Sequence, residues 1–181
     1  MLKVVPYGVK ISYYAFMALM VPTYITHYPL TNFFNLCQVH LFLVLISFLT
    51  DTHLFISMSA LGISIIQLFW CLDLMCETIG INFIGGTKYM YDTSYPLYLR
   101  SISLFHAWFP FFLFYLIKKV GYDKRALYPQ FILSNSVCLL SYYNIELYNE
   151  NINVMKDVGI FGLFYCSIVI FTTHQLLLWW V

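Results

Sequence analysis

Apolar residues fall in six long runs separated by short polar breaks. A helix needs about 20 mostly apolar residues to cross a hydrocarbon core. The pattern predicts helices over residues 8–25, 33–50, 53–72, 96–117, 127–147 and 158–181, the third continuing to 77 if the helix persists. Pro22 sits inside the first run, and Ser and Asn dilute the fifth. The runs do not alternate with period two, which speaks against barrel strands. The expected fold class is all-α: one polytopic transmembrane helical bundle of about six spans, forming a single domain over residues 1–181. Residues 76–95 are long for a structureless connection and too apolar for open water. An interfacial or re-entrant segment is expected there, roofing the bundle.

Composition agrees with this pattern. The 181 residues are 61% hydrophobic and 9% charged, with a mean hydropathy of +0.78. An ordinary soluble domain carries roughly 25% charge, so this chain has too little to cover a water-exposed monomer. The same values exclude disorder. Nine Lys and Arg against eight Asp and Glu leave a net charge of +1, too little for binding nucleic acid through a basic face. The five cysteines form no C-x-x-C pair and read as small packing residues. No A-x-A-like cleavage site follows the first run, which reads as retained rather than as a signal peptide.

The order of the spans and the basic residues set an orientation. Lys118, Lys119, Lys124 and Arg125 crowd the break between the fourth and fifth runs, and short basic loops stay on the cytoplasmic side. With six spans, Lys3, Lys10 and both termini fall on that side too. Lys88, Arg100 and Lys156 then lie outside, with Asp73, Glu77, Asp92, Glu146, Glu150 and Asp157. The basic loop serves topology, and it also suits anionic lipid headgroups.

Helices in lipid associate through small residues. Three seams qualify: Gly8, Ser12, Ala15 and Ala18 in the first run, Ser134, Cys138 and Ser141 in the fifth, and Gly159, Gly162 and Cys166 in the sixth. Seventeen Phe and sixteen Tyr are a heavy aromatic load. The Tyr13-Tyr14, Tyr89–Tyr98 and Tyr142-Tyr143-Tyr148 clusters lie near span ends, which suits interfacial belts better than a ligand cage.

Ionisable groups at membrane depth point to function. His106 lies near the middle of the fourth run, four residues before Pro110, which has no N–H for the His106 carbonyl. Arg100 and Ser103 share its face at i−6 and i−3, making a polar stripe. Its simplest alternative is a kinked helix whose His bonds a neighbour. In the third run Gln67, Trp70, Asp73 and Glu77 fall within a third of the helix circumference. An Asp73–Arg100 ion pair is the economical expectation, with Asp73 as a proton carrier the alternative. A pocket lined by Arg100, His106, Asp73, Glu77, Trp70 and Gln67 is expected beneath the 76–95 segment. His40, Asp51, His53, His106 and His174 are the weak metal-ligand candidates. No two histidines stand at i, i+4 and no H-E-x-x-H is present, so neither a metal site nor a cofactor is expected. Phosphate-loop, dinucleotide and nucleophile-elbow motifs are absent.

The stretches Trp70-Cys71-Leu72-Asp73, Tyr89-Met90-Tyr91-Asp92, Pro96-Leu97-Tyr98-Leu99-Arg100, Ser103-Leu104-Phe105-His106, Trp108-Phe109-Pro110, Gly121-Tyr122-Asp123-Lys124-Arg125-Ala126-Leu127 and Thr173-His174-Gln175-Leu176-Leu177 resemble a group of bacterial integral membrane proteins without an assigned activity. The resemblance covers roughly residues 30–145 and the C-terminal end. Residues 146–157 are shorter than that group's pattern. It implies a bacterial cytoplasmic membrane and no particular chemistry.

The leading functional expectation is binding or transport of a lipid or small amphiphile between the third and fourth spans, with Arg100 taking an anionic head and His106 a deeper polar group. One alternative is a lipid-modifying enzyme, possibly a metal-dependent hydrolase, with His106 as base or ligand and Asp73 orienting it. Another is a structural subunit. Expected partners are membrane lipid, a small amphiphile, and a second copy or another membrane subunit. No internal repeat points to an alternating-access carrier.

Overall fold

The computed structural model describes residues 2–148 and 161–180, with side chains for 2–141 and 167–180. The described residues contain no strand. The α-helices are α1 (Tyr7–His27), α2 (Leu36–Thr50), α3 (Leu54–Thr78), α4 (Leu97–Ser103), α5 (Phe105–Val120), α6 (Leu127–Tyr148) and α7 (Phe161–Trp180). Helices α4 and α5 follow one another as the single stretch Leu97–Val120. Six long helical stretches thus coincide with the six apolar runs. Two of them, α3 and Leu97–Val120, are long and apolar enough to cross a membrane by length and composition, and α2 is apolar but shorter.

Helix α3 is the axis of the bundle. Residues 56–64 are buried at every position, so this stretch is enclosed on all sides. It packs against α2, α5, α6 and α7. Ser57, Ser59, Ala60, Gly62 and Ser64 keep it thin, which lets those neighbours approach. Helix α1 lies against α5 through aromatic rings: Tyr13 stacks on Phe112 at 5.5 Å, and Phe16 meets Trp108 edge-on at 5.1 Å.

The interior is mostly apolar, but it also holds a set of polar side chains. His40, Ser57, Ser59, Ser64, Gln67, Gln130, Ser134 and Ser141 are buried. Leu19, Leu49, Phe111, Ile132, Ile168 and Leu176 are exposed.

Three expectations are corrected by the packing. The small-residue face of α1 (Gly8, Ser12, Ala15, Ala18) is exposed, and the helix buries Tyr13, Met17, Met20 and Tyr24 instead. Large side chains at spacings of four and three fill the α1 contact, which small ones leave open. The helix expected over 96–117 is interrupted at Leu104, where the backbone bonds tighten to i−3 (Leu104 to Ser101, Ala107 to Leu104). Tyr13 is also no belt residue, since it is buried and its hydroxyl donates to the Leu41 carbonyl at 2.7 Å. The Ser134, Cys138 and Ser141 seam of α6 is buried as a packing face. Gly159, Glu150, Lys156 and Asp157 lie outside the described residues, and so do the packing of Gly162 and the side chains of Cys166, Glu146, Tyr142, Tyr143 and Tyr148.

Candidate functional site

The end of α1, the start of α2, the last turns of α3 and the α4–α5 junction meet at one end of the bundle. They line a half-open cavity of about 370 Å³ beneath the connection that follows α3. Trp70, Ser103 and His106 form one wall, Tyr24, Tyr28, Asn32, Asn35, Cys37 and Gln38 the other, and Gly86, Tyr89 and Tyr95 the roof. No lining side chain carries a full charge. The volume lies in the range of small-molecule sites.

His106 is the centre of the first wall. Its ring stacks on Trp70 (4.9 Å between centroids) and on Phe105 (4.0 Å). Pro110 frees the His106 carbonyl from the helix ladder, and the Cys71 thiol donates to that oxygen at 3.7 Å. The stacked neighbours fix the plane of the imidazole, and His106 lines the cavity. Tyr24 and Ser103 pair their hydroxyls at 3.4 Å. Burial pushes the Tyr89 phenol up to about 12, so it stays a neutral donor near pH 7.

Asp73 does not pair with Arg100. Its carboxylate is buried and takes four hydrogen bonds from the roof. Ile84 N and Gly85 N donate to Oδ1 at 2.6 and 2.9 Å, and Thr87 N and Oγ1 both donate to Oδ2 at 2.9 Å. Gly85 adopts φ +83°, a region open to glycine, and this curls successive N–H groups around one oxygen. Arg100 instead donates from Nη1 to the Met90 carbonyl at 2.9 Å. The acid and the base therefore hold two different points of the same loop, because backbone groups outcompete the longer reach between their side chains. Neither lines the cavity, and nor do Glu77 and Gln67. Gln67 is buried with both amide atoms unpartnered among the described residues. Of the six expected pocket residues, Trp70 and His106 face the cavity.

The remaining polar candidates separate. His40 is buried and shares Nδ1 with the Leu36 carbonyl at 2.6 Å. Asp51, in the left-handed turn after α2, accepts from Leu2 N at 2.8 Å. His53 Nε2 lies 3.6 Å from Asp123, and His174 meets the Tyr122 hydroxyl. Asp51, His53 and His174 thus take different partners rather than forming one cluster. Among the described residues no group of three or more His, Cys, Asp or Glu side chains converges for a metal ion.

Sequence reasoning missed the wall contributed by α1 and α2. A signal was present: Asn32, Asn35 and Gln38 recur every three residues, with Tyr24 and Tyr28 shortly before them. Tyr89 and Tyr95 also belong to the cavity rather than to a belt. Set beside known proteins, the chain matches no family model, no curated protein and no solved structure.

Proposed function

We propose that the chain is a polytopic membrane protein that binds a small, uncharged amphiphile in this cavity. Support for the membrane setting comes from two long apolar helical stretches, α3 and Leu97–Val120. Large apolar side chains are also exposed on α1, α5, α6 and α7, among them Leu19, Phe111, Ile132 and Ile168. In this setting the basic 118–125 loop lies on the cytoplasmic side and the cavity opens toward the other.

The observation that carries the binding reading is the chemistry of the cavity wall. An imidazole, an indole, four phenols and three carboxamides surround it, with no full charge. Such a wall suits flat or apolar surface plus a few hydrogen-bonding groups. It does not suit an ionic head, since Arg100 does not line the cavity. An acid–base role for His106 needs a group to orient it, and Asp73 is fully engaged elsewhere. Binding is therefore favoured over catalysis.

Native mass spectrometry of the protein extracted in mild detergent tests this reading. The wild type is expected to carry a small co-purifying molecule. Loss of one hydrogen bond in His106→Leu costs about 1 kcal/mol or slightly more, roughly tenfold in affinity, so most of that mass disappears. A wild type without any bound molecule, or a His106→Leu variant and a cavity-filling Gly86→Leu variant that both retain it, contradicts the proposal.

A further inference from the structure

The end of the bundle away from the cavity carries a built cationic surface, and we infer that the loop from Lys118 to Arg125 is a preformed docking site for the headgroup of an anionic phospholipid. The inference rests on the membrane reading above and goes beyond it, since topology alone asks for positive charge but not for a fixed arrangement of it.

The one acid in the loop is turned away from the surface. Asp123 is buried and closes a bidentate pair with Arg125, whose Nη2 donates at 2.7 Å and Nε at 3.0 Å. It also accepts from the Arg125 backbone N at 3.0 Å. The Arg125 guanidinium holds the Asp123 carboxyl below the usual carboxylate range. This carboxylate therefore neutralises Arg125 and leaves the lysines alone. Among the described residues, Lys118, Lys119 and Lys124 lie in salt-bridge range of no carboxylate.

The loop is also held still. Asp123 N donates to the Ser57 hydroxyl at 2.9 Å, which ties the loop to the buried stretch of α3. The Tyr122 hydroxyl binds His174 on α7. Gly121 turns the chain at φ +83°. Cations on a fixed turn lose less freedom on binding than cations on a floppy one.

The surroundings identify the occupant as a lipid. Lys118 Nζ stands 5.5 Å from the centre of the Trp180 ring, and Trp179 is 87% exposed. Exposed indoles at a helix end mark the level of the headgroups. Lys118 at that level, with Lys119 and Lys124 unneutralised in the same loop, matches a phosphodiester facing the cytoplasm.

The full-length protein, delipidated in detergent, is titrated with phosphatidylglycerol and with phosphatidylcholine and read by native mass spectrometry. Phosphatidylglycerol is expected to bind preferentially, and raised salt is expected to erase the preference. Each surface cation is worth about fivefold in association with an anionic surface. The double variant Lys119→Gln with Lys124→Gln should therefore lose about 25-fold in phosphatidylglycerol affinity, while Lys88→Gln on the other side changes nothing. Equal binding of the two lipids to the wild type overturns the inference and leaves the membrane reading standing. An unchanged double variant, or an equal loss in Lys88→Gln, overturns it as well. If the double variant fails to fold, the wild-type salt titration decides, and a salt-independent preference counts against the site. A chain that stays monodisperse without detergent and takes up neither lipid removes the membrane reading itself. Inorganic phosphate competing as well as the lipid assigns the site to free anions and overturns the lipid assignment.

Discussion

Replacing Asp73 with Ala is expected to free the roof of the cavity and to destabilise the protein by about 3 kcal/mol. Four hydrogen bonds to a carboxylate disappear together, and three of their donors are backbone N–H groups of Ile84, Gly85 and Thr87. Bonds to a charged group exceed neutral ones, and donors left buried without a partner add their own cost. Asp73 also sits near the C-terminal end of α3, where the helix dipole disfavours a negative charge. The loop, not the helix, therefore accounts for an acid at this position. Asn is a poor substitute, because one side of the carboxamide is itself a donor and faces donors. Hydrogen exchange at residues 84, 85 and 87 checks this directly. Protection in wild type with fast exchange in Asp73→Ala is the expected result, together with a lower melting temperature. Unchanged protection would show that the roof is held by Arg100 and by the Thr78–Tyr91 hydroxyl contact alone.

The second large effect concerns Gly62, in the enclosed stretch of α3. A methyl group built there would clash with Gln130 Nε2 and His40 Nε2. Both side chains are anchored behind: Gln130 Nε2 donates to Ser134 Oγ at 2.6 Å, and His40 Nδ1 is bound to the Leu36 carbonyl. Neither can retreat without breaking a buried hydrogen bond. Gly62→Ala should therefore cost about 2–3 kcal/mol by overpacking, despite the better helix propensity of Ala. Gly8→Ala in α1 meets nothing within 4 Å and should be neutral or stabilising by up to about 1 kcal/mol. Melting curves of the two variants in one detergent give the comparison. Shortening Gln130 to Ala in the Gly62→Ala background should restore part of the loss. Equal melting temperatures for the two glycine variants would mean that α2, α3 and α6 do not close on Gly62.

Helix positions were legible because they depend on hydrophobic run length. Each of the six runs became a helical stretch within a few residues of its expected limits. The freed carbonyl at His106 was legible as well, since a proline at i+4 removes its donor whatever surrounds it. Its partner, Cys71, was not, because the rotation of α3 against α5 depends on packing. Side-chain pairing was the least legible level. Asp73 and Arg100 have opposite charges and hold the same loop, yet the partners they found are backbone groups and one threonine hydroxyl. Sequence lists side chains, and backbone donors become visible only once a loop such as 84–87 takes its shape. The same holds for the cavity. Trp70, Ser103 and His106 were traceable along two helices. The α1 and α2 wall required knowing that those helix ends converge on the same spot.

Cysteine labelling tests the central claim, a helical bundle in lipid with its cavity and its basic loop on opposite faces. Lys88→Cys, in the roof, and Lys119→Cys, in the basic loop, are introduced separately into a chain whose native cysteines have been replaced. Each is then exposed to a membrane-impermeant maleimide on intact cells. The account predicts labelling of Lys88→Cys in intact cells and of Lys119→Cys only after permeabilisation. Labelling of both from one side, or recovery of both proteins in the aqueous fraction, would contradict it.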